Sequence, residues 1–150
     1  MVGVRRRFAL ADTAQQVVGG FLLAGPFVVT EEVWSLARSM SAVQGVLTAV
    51  IVLTVGYGAL YKADDRDPDR EKDVLGIPVR FVSLILVSYL SVFILALAFD
   101  APGTFLSDMA ASDGTTFLGF QREMLVTTLK ATSIGAVFSV IGAATADTVF

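Results

Sequence analysis

Neither cysteine nor histidine occurs in the 150 residues. Those two absences together remove disulfides, thiolate nucleophiles, imidazole bases and the usual zinc, haem and iron–sulfur sites. Any metal would rest on oxygen ligands alone. Lysine is nearly missing as well. Lys62, Lys72 and Lys130 are the three, while arginine supplies eight cations and Asp outnumbers Glu ten to four. Charged residues are 17% of the chain, against about a quarter in soluble globular proteins. An acidic, Asp-rich, Lys-poor polar fraction fits a salt-adapted protein, because carboxylates stay hydrated in concentrated salt.

What is present is apolar. Hydrophobic residues make up 55% and mean hydropathy is +0.73. A chain of single-domain length has no water-soluble core large enough to hide so much apolar surface. A lipid bilayer is its natural solvent.

A crossing helix needs about 20 apolar residues, since about 1.5 Å of rise per residue must cover roughly 30 Å of hydrocarbon. Residues 40–61 carry no charge, and residues 79–99 carry only Arg80, at the entry. Pro78 suits the start of that helix, where its missing N–H has no intrahelical partner to lose. A further span is expected at about 126–147, with Lys130 one turn inside. The first, at about 10–36, is the odd one. Its strictly apolar stretch runs only from Val17 to Val29, with Asp12, Gln15 and Gln16 before it and Glu31 and Glu32 after it. Trp34 then reads as an interface anchor.

Arg5-Arg6-Arg7-Phe8 also resembles the start of a twin-arginine export signal. Asp12 and two glutamines interrupt it, however, and no small-x-small cleavage site follows the apolar run. The cations set the orientation. Eight lie before the first helix or in and beside the 62–78 loop, leaving Arg38, Arg122 and Lys130 on the other side. By the positive-inside rule the amino terminus, the 62–78 loop and the carboxyl terminus are cytoplasmic, and the 100–125 loop is outside. In that outer loop, Asp113-Gly114 is a turn signal. The expected fold is an all-α integral membrane bundle of four transmembrane helices, N-in/C-in. It is a single domain, multi-pass in the cell membrane.

Within this frame several motifs invite a functional reading. Asp65, Asp67 and Asp69 repeat the spacing that opens a calcium loop. That loop next needs Gly and, at its twelfth position, Glu. Arg70 and Gly76 stand there instead, and a solvated mixed-charge linker is the better reading. Small residues recur at helical spacing: Gly45, Ala49 and Gly56 on the second helix, and Gly135, Ser139 and Gly142 on the fourth. Such residues let helix backbones approach closely in lipid, within one chain or between copies of a homo-oligomer. The membrane serines have no histidine base and are expected to bond to backbone carbonyls or to neighbouring helices. No enzyme, no cofactor and no nucleic-acid partner is expected.

The first helix carries a polar and small stripe: Asp12, Gln16, Gly19, Leu23, Pro26 and Thr30. It should face away from lipid, because unpaired polar groups in hydrocarbon cost several kcal/mol. Pro26 frees the Leu22 carbonyl and predicts a kink. The charges nearest the membrane at the outer side are Glu31, Glu32 and Lys130. Glu32, or in second place Glu31, is expected to pair with Lys130, as a structural clasp or as a gate. Asp12, Gln16, Pro26, Thr30, Glu32 and Lys130 are thus the candidate polar or ion site.

The run Gly19-Gly20-Phe21-Leu22-Leu23-Ala24-Gly25-Pro26-Phe27-Val28-Val29-Thr30-Glu31-Glu32-Val33-Trp34 resembles the first-helix signature of an uncharacterised family of integral membrane proteins found in halophilic archaea and some bacteria. The pattern is a Gly pair, an apolar run, Pro, then Thr-x-Glu-x-Trp. The stretch Lys130 to Phe150 is similar and less distinctive. The resemblance implies membrane location, no stated activity, and an emphasis on Glu32 over Glu31. Two functions follow as expectations. One is an oligomeric channel or transporter for an ion or small solute, with its polar site on the first helix. The other is a non-transporting protein that anchors a partner at the membrane.

Overall fold

The computed structural model describes residues 10–62, 67–68, 73–110, 116–117 and 120–149. Arg5–Arg7, Asp65, Asp69 and Asp113-Gly114 lie outside them. Seven helices and two short hairpins follow in order: α1 Leu10–Val28, α2 Glu31–Ser39, α3 Ala42–Tyr57, β1 Asp73–Val74, β2 Ile77–Pro78, α4 Val79–Ala98, α5 Ala101–Phe105, α6 Ser107–Ala110, β3 Thr116–Phe117, β4 Phe120–Gln121 and α7 Arg122–Val149. A π-helical turn, Gly58–Lys62, extends α3.

Three helices are long and apolar enough to cross a membrane: α3 with its π-turn, α4, and α7. The pair α1 and α2 passes the same test together but is bent by 81°. The four long helices alternate in direction. Gln16 meets Asp147, and Gly20 meets Ser139, so α1 runs antiparallel to α7. Gly45 lies against Lys130 and Gly56 against Val140, so α3 runs parallel to α7. Gly56 also meets Leu84 and Ile85 near the start of α4. The starts of α1 and α4 and the ends of α3 and α7 therefore share one end of the bundle.

The element ends follow from local chemistry. Ser41 accepts a hydrogen bond from the Gln44 N–H while the Gln44 side chain accepts from the Ser41 N–H, a capping box that starts α3. Pro78 precedes α4 as its N-cap. After α4, Asp100 turns the chain in the left-handed region at φ 49°, a conformation Asp tolerates better than most residues.

The first helix departs from the expected 10–36 rod. The break falls at Val29–Thr30, not at Pro26, and it is a corner, not a kink. Pro26 has no N–H to give the Leu22 carbonyl, yet helix persists to Val28. There the β-branched run Val28-Val29-Thr30 leaves it, and Thr30 is extended at φ −104° and ψ 130°. Trp34 then donates its indole N–H to the freed Val28 carbonyl at 2.9 Å, which fixes the corner. The polar stripe follows the same change. Gln16 and Gly19 face inward as expected, but Leu23 and Pro26 are exposed, and Gly20, Ala24 and Val28 take the buried face.

The core lies along α7. Its C-terminal half packs Val140, Ala143 and Ala144 with Val52, Leu60, Tyr61 and Leu84. Its N-terminal half packs Ala131 with Ala24, Val28, Trp34, Val92 and Ala96. Of the three single-helix candidates, α3 is the least buried. It exposes Val43, Val46, Leu47, Val50 and Leu53.

Candidate functional site

The polar residues expected at one site divide between the two ends of the bundle. Asp12 and Gln16 belong to the end where α1 and α4 begin. Arg80 reaches from the first turn of α4 to Asp147 in the last turn of α7, with Nη1 at 2.8 Å from each carboxylate oxygen. Its Nη2 lies 3.4 Å from the Asp12 carboxylate on α1. Gln16 Nε2 donates to Asp147 at 3.4 Å, and Ser83 Oγ donates to Gln16 Oε1 at 2.7 Å. Three helices thus meet through one connected network of polar side chains. The Asp147 side chain is fully buried and that of Arg80 is 10% exposed.

Helix electrostatics make this arrangement unusual. A helix N-terminus favours anions and a C-terminus favours cations. Asp12, in the first turn of α1, obeys that rule. Arg80, in the first turn of α4, and Asp147, near the end of α7, both violate it. Each is tolerated because it neutralises the other.

Immediately beyond the network α1 and α7 touch through their backbones. A Cβ on Gly19 would overlap the Gly142 carbonyl oxygen, and a Cβ on Gly142 would overlap that of Gly19. Ser139 Oγ donates to the Gly20 carbonyl at 3.0 Å. Further along, Phe27 and Phe138 stack at 3.9 Å. Gly135 faces Val92, where a Cβ would lie 2.7 Å from Cγ1, and Gly56 faces Val140 at 2.9 Å. Gly45 and Ala49 are half-buried. Ser88, Thr128 and Thr132 bond back to carbonyls four residues earlier.

At the other end the expected Glu32–Lys130 pair is not formed. Lys130 Nζ instead donates to the Met40 carbonyl at 2.6 Å, at the C-terminal end of α2. The corner at Val29–Thr30 is the reason. It carries Glu31 and Glu32 to the far end of α2, about 12 Å away at about 1.5 Å per residue. Both glutamates are exposed and border an open cleft with Ser35, Leu36 and Ser39. Thr30 Oγ1 donates to the Phe27 carbonyl at 3.2 Å. Lys130 and Arg38 both serve the C-terminal end of α2, where cations are favoured, and the glutamates its first turn, where anions are.

Arg38 makes two 2.7 Å contacts with Asp108 on α6 and a further hydrogen bond to the Phe105 carbonyl. Trp34 stacks on Phe105 at 5.9 Å. The Arg38 hydrogen bond holds the Asp108 carboxyl below its ordinary value, and Asp108 holds the Arg38 guanidinium above its own.

Arg80, Ser83 and Asp147 are the members that sequence reasoning missed, since the two charges read as boundary residues of their spans. Their signal was polarity: each sits at the helix end that disfavours it. Among the described residues no group of Asp and Glu is placed to hold a metal ion.

An apolar helical bundle with three or four candidate spans and, among the described residues, a buried charge network has the build of an integral membrane protein. The chain belongs to the family described as "Putative integral membrane protein (DUF2391)", which it matches over residues 4–149. No curated protein and no solved structure matches it.

Proposed function

We propose that the chain is a four-span, N-in/C-in protein of the cell membrane that passes an ion or small solute, held closed at its cytoplasmic end by Asp12, Arg80 and Asp147. The observation that carries this reading is the buried network itself. A buried ion pair is weak evidence for stability, and ionisable groups held inside a membrane bundle mark substrate and ion pathways. Here two of the three sit where their own helices disfavour them. The alternating helix directions support four spans, with α1 crossing and α2 lying along the outer surface. The 19 residues of α1 rise about 28 Å. Exposed apolar residues on α3 support association of copies, and the Asp-rich, Lys-poor polar fraction supports a salt-rich habitat. The reading assigns no enzyme activity and no cofactor.

The test is flux through reconstituted vesicles, followed separately for protons, sodium, potassium and chloride. Arg80→Gln with Asp147→Asn removes both charges and leaves polar amides in their place. It is expected to raise flux above that of the unaltered protein. If neither form exceeds protein-free vesicles for any of the four ions, ion passage is refuted. The reciprocal glycine contact favours a second reading. Backbones that close leave no space along the α1–α7 seam, as suits a packed anchor for a partner protein. That reading expects no flux in either form.

A further inference from the structure

We propose that the hairpin ahead of α4 is a membrane-surface anchor that sets Leu75 into the lipid interface. Asp73 pairs with Pro78 and Val74 with Ile77, leaving Leu75 and Gly76 as a two-residue turn. Their φ angles are 55° and 81°, the positive values that a type I′ turn requires at both central positions. Glycine adopts this conformation freely. At the first position Asn, Asp or Gly is usual, because a bulkier side chain crowds the backbone there. Leu75 is nevertheless 99% exposed, and Val74 and Ile77 beside it are exposed too. An apolar side chain therefore occupies a strained position without packing against its own chain. Turn chemistry and water would both favour a polar residue. An apolar surrounding is what favours leucine.

The place of the hairpin identifies that surrounding. Ile77 and Pro78 run directly into α4, so Leu75 lies within about 14 Å of Val79. The first turn of α4 holds Arg80, and the Tyr57 and Phe81 rings meet edge-on at 5.9 Å close by. Aromatic rings collect at the membrane–water boundary. Beyond them Val82, Leu86, Leu90, Ile94 and Leu97 continue an exposed apolar face along α4. On this proposal the exposed Val74, Leu75 and Ile77 add one more apolar layer before that face. Charge attraction is not the cause, since the segment from Lys62 to Asp73 holds six acids and four bases. A neutral lipid surface is the partner this chemistry fits.

This inference rests on α4 crossing the bilayer, and the experiment separates the two. Because the chain has no cysteine, Leu75→Cys, Asp73→Cys and Leu90→Cys each give one site for a nitroxide label. Collisions with oxygen, which concentrates in lipid, are compared with collisions with a water-soluble nickel complex, in phosphatidylcholine vesicles. Leu75 and Leu90 are expected to favour oxygen, and Asp73 nickel. Nickel preference at 75 with oxygen preference at 90 overturns the anchor. Nickel preference at both overturns the crossing of α4 and the anchor with it. Broadening at 75 that disappears on dilution with unlabelled protein assigns the contact to a second copy and also overturns the anchor. Leu75→Asn suits the turn, so it should leave unfolding in detergent unchanged. In that background a label at Ile77→Cys should move toward nickel. An unmoved label counts against Leu75 as the anchoring side chain.

Discussion

Arg80 and Asp147 meet at one end of the bundle, and Arg38 and Asp108 at the other. The contact distances barely differ, 2.8 Å against 2.7 Å. The surroundings differ completely. At the inner pair the side chains are 10% and 0% exposed, and at the outer pair 31% and 66%. Distance alone would rank the pairs as equal. Burial makes the inner pair the one whose disruption strands a charge away from water, while solvent screens the outer one. The outer pair joins α2 to the short helix α6 and locks the two together. The inner pair joins α4 to α7, and Asp12 brings α1 to it.

The largest effect should come from removing the buried carboxylate that holds the inner arginine at 2.8 Å, which leaves it the longer 3.4 Å contact to Asp12. Asp147→Ala is expected to cost about 3–5 kcal/mol, read from equilibrium unfolding in mixed micelles. Arg80→Met combined with Asp147→Leu should recover most of that loss. Additive losses in the double variant would show that the two residues are not coupled.

The glycine contact beside that network comes next. Gly19→Ala should cost about 3 kcal/mol, because the atom it strikes is backbone and has no rotamer to move to. Gly25→Ala meets nothing within 4 Å and is the matched control. Equal unfolding midpoints for the two variants would contradict the close approach.

Third in size is the cation at the outer end. Lys130→Met removes a charged donor from the Met40 carbonyl and should cost about 2 kcal/mol, while Glu32→Gln should leave unfolding unchanged. A loss in Glu32→Gln matching that in Lys130→Met would restore the acid–lysine pair.

The smallest effect concerns the outer pair, and it depends on pH. Arg38 depresses the Asp108 carboxyl. The lock is therefore complete above the ordinary carboxylate value of about 3.9 and is lost as pH falls through the lower folded value. Labels at Ser35→Cys and Ala110→Cys should keep one separation from pH 8 to 5 and spread only in stronger acid. Asp108→Asn should show the spread distribution at every pH, with little change in global unfolding.

The ease of reading each feature from the chain has physical causes. Val79–Ala98 was legible because its apolar run is uninterrupted and is bounded by Pro78 and Asp100. The glycine and serine positions of α7 were legible as a seam, although their partner, Gly19, was read as part of a polar stripe. The corner at Val29–Thr30 was not legible. Pro26 marked a weakness in the helix, but the direction the chain takes afterwards depends on Trp34 finding the Val28 carbonyl. The Glu32–Lys130 expectation failed with it. The Arg80–Asp147 pair was hidden by a separation of 67 positions in the chain and by the place of both charges at the ends of their spans.

The meeting of α1 with α7 also sets a timetable for making the protein. Gln16 and Asp147 are 131 residues apart, and at roughly 5–20 residues per second the ribosome needs on the order of ten seconds to supply the second after the first. Throughout that interval the amide and carboxylate of α1 must be sheltered by the insertion machinery, by water at the membrane surface or by Ser83 and Arg80 once α4 arrives. The packing of α1 is complete only when α7 closes on it.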